Sequence, residues 1–181
     1  METLKTITER RSIRKFKPEK VSRETIENIV AAAAYAPSWK NTQVVRYHVF
    51  DDPAVKTDIA EHHTLGFSYN TGTIERAPQV VALTAVKGRS GMERDGSATT
   101  NKGDNWYLFD AGVAAQTFCL AAHEYGVGTV IMGIFDAEKV AELLHIPEDE
   151  VVVALIPIGY PDETPSAPPR KPVSVLLDFV E

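Results

Sequence analysis

Cysteine is scarce in this 181-residue chain, which contains only Cys119. One thiol cannot form an internal disulfide, a four-cysteine zinc site or a Cys-x-x-Cys redox pair, so we expect a reducing compartment, the cytoplasm. Long apolar runs are absent too. The most apolar stretch, 108–122, is shorter than a membrane span and contains Asp110 and Gln116. The N-terminal residues lack an apolar core of signal-peptide length, so we expect neither secretion nor a membrane partner.

The sequence also lacks long basic runs and the common nucleotide-binding motifs. Its formal net charge of −6 and pI near 5.4 disfavour nucleic acid as a partner. Gly126, Gly128 and Gly133 do not fit the G-x-G-x-x-G spacing, and no Walker lysine loop or G-x-S-x-G motif is present. The one metal-like cluster is Glu-His-His at 61–63, but adjacent helical histidines face different directions, so we expect no metal site.

The composition is that of one globular domain. Apolar residues make up 44% of the chain and charged residues 24%, which is ordinary for a folded protein. The spacing of apolar residues and the turn signals predict alternating helices and strands. The predicted helices lie near 4–7, 22–36, 53–61, 105–125 and 136–144, and the predicted strands at 45–50, 80–86, 127–132 and 151–158. Ser22 and Asp136 are predicted to cap the starts of two helices and Gly126 the end of a third, and Cys119 is expected to be a buried structural thiol and not a nucleophile.

Three segments suggest how the chain is completed. The helix predicted over 105–125 is apolar on nearly every face and must be covered on every face, so we expect a homodimer built about it. Residues 87–104 contain four glycines and no apolar period, which indicates a long mobile loop. Five of the eleven prolines fall within 161–172, which predicts an extended arm. Residues 173–180 have the composition of a strand, and we expect that strand to pair outside its own subunit.

Positive charge is concentrated in the stretch ERRSIRKF near the start of the chain. Arg10, Arg11, Ser12 and Arg14 supply cationic and hydroxyl donors beside a helix end, which is the donor set of a phosphate site. A solvated arginine cluster is the alternative interpretation. We call residues 10–14 the arginine segment.

Three more stretches contain candidate ligand-binding residues. In PSWKNTQ, the side chains of Ser38, Asn41 and Gln43 suit a heterocycle that presents donors and acceptors; a polar turn is the alternative. Gly133 at a predicted strand end lets a ligand lie against bare backbone, or it marks a tight turn. The proline-rich arm can place the cationic side chain of Arg170 far from the strand that precedes the arm. A solvated proline-rich tail is the alternative.

Taken in order, R-R-S-x-R, P-S-x-x-N-x-Q, a glycine strand end and R-x-P resemble the nitroreductase family of flavin enzymes. The resemblance spans Arg10 to Pro172. It implies an α+β fold with a central, mostly antiparallel sheet flanked by helices, in an intertwined homodimer whose C-terminal arm reaches the partner. It also implies two FMN sites at the subunit interface. Residues 1–160 would then form the FMN-binding domain and 161–181 its C-terminal arm.

The resemblance also implies roles for individual residues. Arg10, Arg11 and Ser12 would hold the FMN phosphate together with Arg170, while Arg14 would stabilise the reduced flavin at its pyrimidine edge. The second motif would reach the flavin from the partner subunit, and Gly133 would place backbone near flavin N5. The cofactor-binding residues so implied are Arg10, Arg11, Ser12, Arg14, Ser38, Asn41, Gln43, Asn70, Gly133 and Arg170.

The activity that the resemblance implies is an FMN-dependent NAD(P)H oxidoreductase without a catalytic side-chain base, because the flavin carries the chemistry. NADH or NADPH would deliver hydride to flavin N5 and leave, and a nitroaromatic, quinone or similar small molecule would take the electrons from the same slot in a ping-pong cycle. Two alternatives remain at this point: a flavin-binding or flavin-sequestering protein with little turnover, and an interaction module.

The sequence departs from the family pattern at four places. Trp39 stands where many members have a small residue, Val44-Val45 where many have Pro-Trp, and Met132 where many have an acidic residue. A lysine that many members carry near Thr73 is absent. These changes leave the phosphate ligands intact, but they make the acceptor unpredictable from the sequence.

Overall fold

The computed structural model describes residues 2–180. Met1 and Glu181, the outermost residues of the predicted domain and arm, lie outside the described residues. The helices are α1 (Thr3–Glu9), α2 (Arg23–Ala33), α3 (Pro53–His62), α4 (Ser68–Arg76), α5 (Trp106–Glu124), α6 (Ala137–Leu143) and α7 (Val173–Leu176). The strands are β1 (Val45–Phe50), β2 (Gln79–Val86), β3 (Gly128–Thr129) and β4 (Glu150–Gly159).

The strands form one antiparallel sheet in the order β1-β2-β4-β3, which confirms the predicted α+β class. Strand β2 is buried on both faces because helices cover both sides of the sheet. On one face Val81 and Leu83 pack with α2 and α5 around Phe118. On the other face Val80 and Ala82 pack with α3, α4 and α6. The sheet therefore lies between two helical layers.

Short polar side chains fix the starts of three helices. The Ser22 hydroxyl accepts a hydrogen bond from the backbone N–H of Thr25 at 3.1 Å, which confirms the predicted cap of α2. Asp136 caps α6 in the same way, as predicted, by accepting from the N–H of Lys139 at 3.1 Å. Asp52 caps α3, whose first residue is proline.

The strand predicted over 127–132 is too long. β3 covers two residues, and farther along Met132 makes an isolated pair with Leu155 through backbone hydrogen bonds of 2.8 and 3.0 Å. In the same register the residue opposite Val130 is Pro157, which has no N–H to donate. The ladder between β3 and β4 is interrupted there for that reason.

The strand predicted over 173–180 is wrong. Residues 173–176 form the single helical turn α7, closed by the hydrogen bond from Leu177 N–H to the Val173 carbonyl at 2.9 Å, and 177–180 form no regular structure. The predicted pairing of this segment outside its own subunit stays a prediction. The arm at 161–172 contains no helix, as predicted, and its first residue, Pro161, makes an isolated antiparallel bridge with Phe16.

Helix α5 is apolar along its whole length, as the sequence indicated, but the chain covers only part of its surface. Ala111, Ala115 and Phe118 are buried against the sheet. Leu108 and Phe109 are 49% and 62% exposed. Gly126, at φ +71°, ends the helix region in the left-handed conformation that glycine adopts without strain, as predicted. One face of the longest helix is thus uncovered.

A pair of glycines allows the chain after α1 to cross the edge of the sheet. Gly128 of β3 and Gly159 of β4 lie opposite each other. A Cβ on Gly128 would lie 2.8 Å from Ile13, and a Cβ on Gly159 would lie 2.8 Å from Pro78 and 3.0 Å from Phe16. Side chains at these two positions would therefore push the 12–16 segment off the sheet.

We expect Gly159→Ala to lower the free energy of unfolding by about 1–3 kcal/mol, because the added methyl overpacks the contact with Pro78. Urea denaturation measures this loss. The matched control is the same substitution in a Pro78→Ala background, where the ring atoms that the methyl meets are gone. A loss of equal size in both backgrounds would contradict this account of the glycine pair.

Candidate functional site

The backbone of the arginine segment is fixed to the sheet edge. Ser12 forms a parallel bridge with Thr129 of β3, and the N–H of Ile13 donates to the Thr129 carbonyl at 3.0 Å. The segment begins where α1 ends, at Arg10, whose N–H donates to the Thr6 carbonyl. The three arginines therefore extend from a rigid strip between a helix end and a strand.

None of the three guanidinium groups of the arginine segment forms an ion pair within residues 2–180. Arg11 donates to two backbone carbonyls, those of Thr8 at 2.7 Å and Arg10 at 2.9 Å, and Arg14 makes a long contact of 3.4 Å to the Ser12 carbonyl. The guanidinium group of Arg10 has no hydrogen-bond partner in that part of the chain. Three cations without a countercharge, in a protein of net charge −6, suit the binding of an anion.

One carboxylate binds the backbone at the end of the arginine segment. Glu163, in the proline-rich arm, accepts from the N–H groups of Arg14 at 2.5 Å and Lys15 at 3.1 Å. It thereby orders the segment while leaving its guanidinium groups available. The sequence analysis missed Glu163 because the bond joins residues 149 positions apart and no local pattern signals it.

A cavity of about 440 Å³ adjoins Arg14. Its wall consists of residues 130–134 together with Phe67, Tyr69 and Asn70. The amide of Asn70 is buried and donates to the Ile134 carbonyl at 3.0 Å, which fixes that side chain against the wall. Gly133 is exposed, and a Cβ placed on it would meet no atom within 4 Å. The structure thus brings Arg14, Asn70 and Gly133 together, as the sequence analysis predicted.

The second motif forms a strained loop. Trp39–Asn41 is a single 3-10 turn, and three residues that are not glycine have positive φ: Lys40 at 44°, Asn41 at 55° and Gln43 at 49°. Each such residue costs about 1–2 kcal/mol, and strain of this kind is concentrated at functional sites. The Ser38 hydroxyl accepts from the Gln43 N–H at 3.0 Å and closes the loop. We call residues 38–43 the strained loop.

Two groups hold the strained loop in place. Asp110 of α5, 2% exposed, accepts from the Trp39 N–H at 3.0 and 3.1 Å. Lys40 forms a 2.8 Å ion pair with Glu93, and the hydrogen bonds from Lys40 and Thr99 lower the pKa of Glu93. The sequence analysis gave Asp110 no role, although an acidic residue in an otherwise apolar helix was a signal that could have identified it.

Trp39 packs against another aromatic ring and does not line the 440 Å³ cavity. Its ring lies 4.9 Å from the ring of Trp106 between centroids, and Trp106 lies 5.5 Å from Phe109. The loop 87–104 is also attached here, since Ser90 is fully buried and donates to Asp110 at 2.7 Å. This loop contains no long helix or strand, as predicted, but these contacts tether its two ends to α5 and the strained loop.

The two groups of predicted residues lie in different places on one chain. Ser38 and Gln43 line a groove of about 1050 Å³ between α2, β1 and the start of α5, whereas Arg14, Asn70 and Gly133 line the smaller cavity. Asp110 marks the strained-loop end of α5, and Cys119, near Thr129 and Arg10, marks the arginine end. Nine helical residues separate these ends by about 14 Å.

Arg170 lies in the proline-rich arm. Its side chain is exposed, and among residues 2–180 it forms no hydrogen bond or ion pair. It follows Glu163 by seven residues, a span of at most about 25 Å when extended. Its predicted contact with the phosphate therefore stays a prediction.

Cys119 is a packing residue. It is 1% exposed, and burial raises the pKa of its thiol, while Thr129 and the charge of Arg10 act in the opposite direction. A buried thiol with a raised pKa is a poor nucleophile, as the sequence analysis expected. Burial also raises the pKa of Tyr47, which stacks on Phe118, to about 12.

The described residues contain neither a cluster of potential metal ligands nor a membrane-spanning helix. Within residues 2–180 no group of three or more histidine, cysteine or acidic residues is arranged to hold a metal ion. Across the same range, no helix combines the length and the apolar character needed to cross a membrane.

The sequence profile of the Nitroreductase family matches residues 7–71 and 67–160. Among curated relatives, the NADPH-flavin oxidoreductase of Vibrio harveyi is 30% identical over 178 residues, covering 97% of this chain and 72% of the relative. The FMN reductase [NAD(P)H] of Bacillus subtilis is 29% identical over 180 residues, covering 94% and 70%.

Solved structures share the fold. The crystal structure of a nitroreductase family protein from Clostridium novyi NT superposes with a TM-score of 0.78 at 30% sequence identity. The similarity covers 93% of this chain and 89% of that protein.

We expect inorganic phosphate, compared with sodium chloride at equal ionic strength, to raise the Tm of the wild-type protein by a few degrees through binding at the arginine segment. In Arg10→Gln/Arg14→Gln this rise should shrink to the general effect of phosphate on any protein. The control is Arg23→Gln, since Arg23 is exposed and paired with Glu27 on α2. Equal Tm shifts in all three proteins would show that the segment does not bind the anion.

Proposed function

The chain belongs to the nitroreductase family, and from this premise we propose that it works as a homodimer whose FMN sites each combine residues of two chains. It is an FMN-dependent NAD(P)H oxidoreductase, as its relatives named NADPH-flavin oxidoreductase and FMN reductase support. One observation carries the proposal: Arg14, one of three neighbouring arginines without a carboxylate partner in the described chain, borders a cavity with bare backbone on its wall.

The residues present fit FMN. The hydrogen-bond donors of Arg10, Arg11 and Ser12 suit a phosphate monoester. No carboxylate of the described chain pairs with the guanidinium groups of the two arginines. The open space above Gly133 suits a flat ring system that lies against backbone. When bound, FMN supplies hydride transfer between a nicotinamide and an acceptor.

Arg14 and Asn70 suit the polar edge of the ring. Arg14 lines the cavity and places a cation where negative charge on a reduced ring can be stabilised. The side-chain amide N–H of Asn70 donates to the Ile134 carbonyl. No described residue donates to the side-chain oxygen of Asn70, so this oxygen can accept a hydrogen bond from a ligand. Neither residue needs to take up or release a proton in these roles.

The dimer follows from the separation of the two half-sites. A single chain keeps the strained loop and the arginine segment at opposite ends of α5, whose outer face with Leu108 and Phe109 is exposed. A twofold axis across this face brings the arginine end of one helix to the loop end of the other. Ser38, Asn41 and Gln43 then reach the FMN bound by the partner.

The C-terminal arm completes this assembly. Residues 1–160 form the FMN-binding domain, and 161–181 extend from it to the partner, which brings Arg170 to the phosphate. The last part of this arm, 173–180, is rich in apolar residues that are exposed on one chain. This is the pattern of a segment that is buried on assembly. Its exposed apolar residues are Val173, Val175, Leu176, Leu177, Phe179 and Val180.

A single cavity at the ring supports a ping-pong cycle. The nicotinamide and the acceptor would use the same open face of the bound ring in turn, since the ring would rest against the cavity wall to which Gly133 belongs. Phe67 and Tyr69, at the mouth of this cavity, suit flat aromatic acceptors such as nitroaromatics and quinones.

We expect the purified protein to show the absorption bands of oxidised flavin and to lose them when NADH or NADPH is added without oxygen. Steady-state rates with menadione and with a nitroaromatic acceptor should give parallel double-reciprocal lines, the pattern of a ping-pong cycle. A protein that holds flavin but is not reduced by either nicotinamide would be a flavin-sequestering protein, and the enzyme proposal would fail. Intersecting lines would contradict the shared slot alone.

A further inference from the structure

Asp110 is a buried carboxylate in an apolar part of α5. Its side chain is 2% exposed, and among residues 2–180 no cation pairs with it. Its donors are the Trp39 N–H, which lies 3.0 and 3.1 Å from the two carboxylate oxygens, and the Ser90 hydroxyl at 2.7 Å. A buried anion without a cation is costly, and an apolar side chain would suit this helix better for stability alone. Stability alone therefore does not explain why a carboxylate occupies this position.

The reason lies in what the carboxylate holds. Trp39 begins the 3-10 turn, and the residues immediately after it adopt the left-handed conformation that side chains disfavour. The strained loop has no regular ladder to keep this shape. It is closed at its ends by the Ser38 hydroxyl, which accepts from the Gln43 N–H, and it is anchored to α5 through Trp39. Asn41 lies between these two bonds.

We propose that Asp110 is a positioning residue that, through the Trp39 N–H, fixes Ser38 and Asn41 for the FMN bound at the partner's arginine segment. This inference rests on the proposed function. Asp110 itself touches neither flavin nor substrate in this role. Because the carboxylate also binds Ser90, it joins the strained loop and the loop 87–104 at one point of the rigid helix.

The test compares FMN affinity, measured by quenching of flavin fluorescence, in three variants. Asp110→Leu fills the site but cannot accept a hydrogen bond, and we expect FMN to bind about tenfold more weakly. Asp110→Asn should bind FMN nearly as the wild type does, because its amide oxygen still accepts from Trp39 and its amide N–H can donate to Ser90. Ser90→Ala, which leaves the bond to Trp39 intact, is the matched control with near wild-type affinity.

A double-mutant cycle separates positioning from a general loss of structure. In a Ser38→Ala/Asn41→Ala background the flavin contacts that Asp110 positions are gone, so Asp110→Leu should weaken FMN binding no further. A merely structural role would give the same loss in both backgrounds. Circular dichroism and Tm confirm folding, and Asp110→Ala replaces Asp110→Leu in the cycle if leucine is not accommodated.

Three outcomes would overturn the inference: Asp110→Leu binding FMN as the wild type does, Asp110→Asn as weakened as Asp110→Leu, or Ser90→Ala as weakened as Asp110→Leu. The second would assign the effect to charge, and the third to the loop 87–104. Wild-type protein that binds no FMN would instead contradict the proposed function, so the two failures are distinguishable.

Discussion

The contact of residues 12–16 with the edge of the sheet is the constraint on which the site depends. This segment can cross β3 and β4 only because Gly128 and Gly159 lack side chains where they face Ile13, Pro78 and Phe16. The crossing fixes Ser12 against Thr129 and orients the arginines on either side of it. Glu163 then binds the backbone N–H of Arg14 and not its side chain. The segment is therefore ordered without neutralising its guanidinium groups. The positive site is a product of packing as much as of composition.

The two half-sites are built on different physical grounds. The arginine segment is unstrained in its backbone but holds uncompensated charge, which only a bound anion relieves. The strained loop holds little charge but stores backbone strain, which Asp110 and Lys40 oppose from α5 and from the loop 87–104. On helix α5, Asp110, which holds the strained loop, and Cys119, near Arg10, lie about 14 Å apart. The same helix has an exposed face, with Leu108 and Phe109, that a second chain can use. Binding and assembly are therefore two aspects of one arrangement in the proposed dimer.

Much of this was predictable from local patterns. The caps at Ser22 and Asp136, the strand at 45–50 and the grouping of Arg14, Asn70 and Gly133 followed from the sequence and the family resemblance. At 173–180 a local helical turn replaces the predicted strand. The other error has a long-range cause: the strand at 127–132 failed because Pro157, distant in sequence, lies opposite Val130. Glu163 and Asp110 were missed for the same reason: their partners are 149 and 71 residues away.

The most direct test of the composite site mixes two defective proteins. Arg10→Gln/Arg14→Gln and Ser38→Ala/Asn41→Ala should each bind FMN poorly as homodimers. When the two are unfolded together and refolded, a mixed dimer contains one site with all four native residues, so about a quarter of all sites should recover tight FMN binding. No recovery in a mixture shown by mass spectrometry to contain mixed dimers would mean that each site belongs to one chain, which would contradict the account.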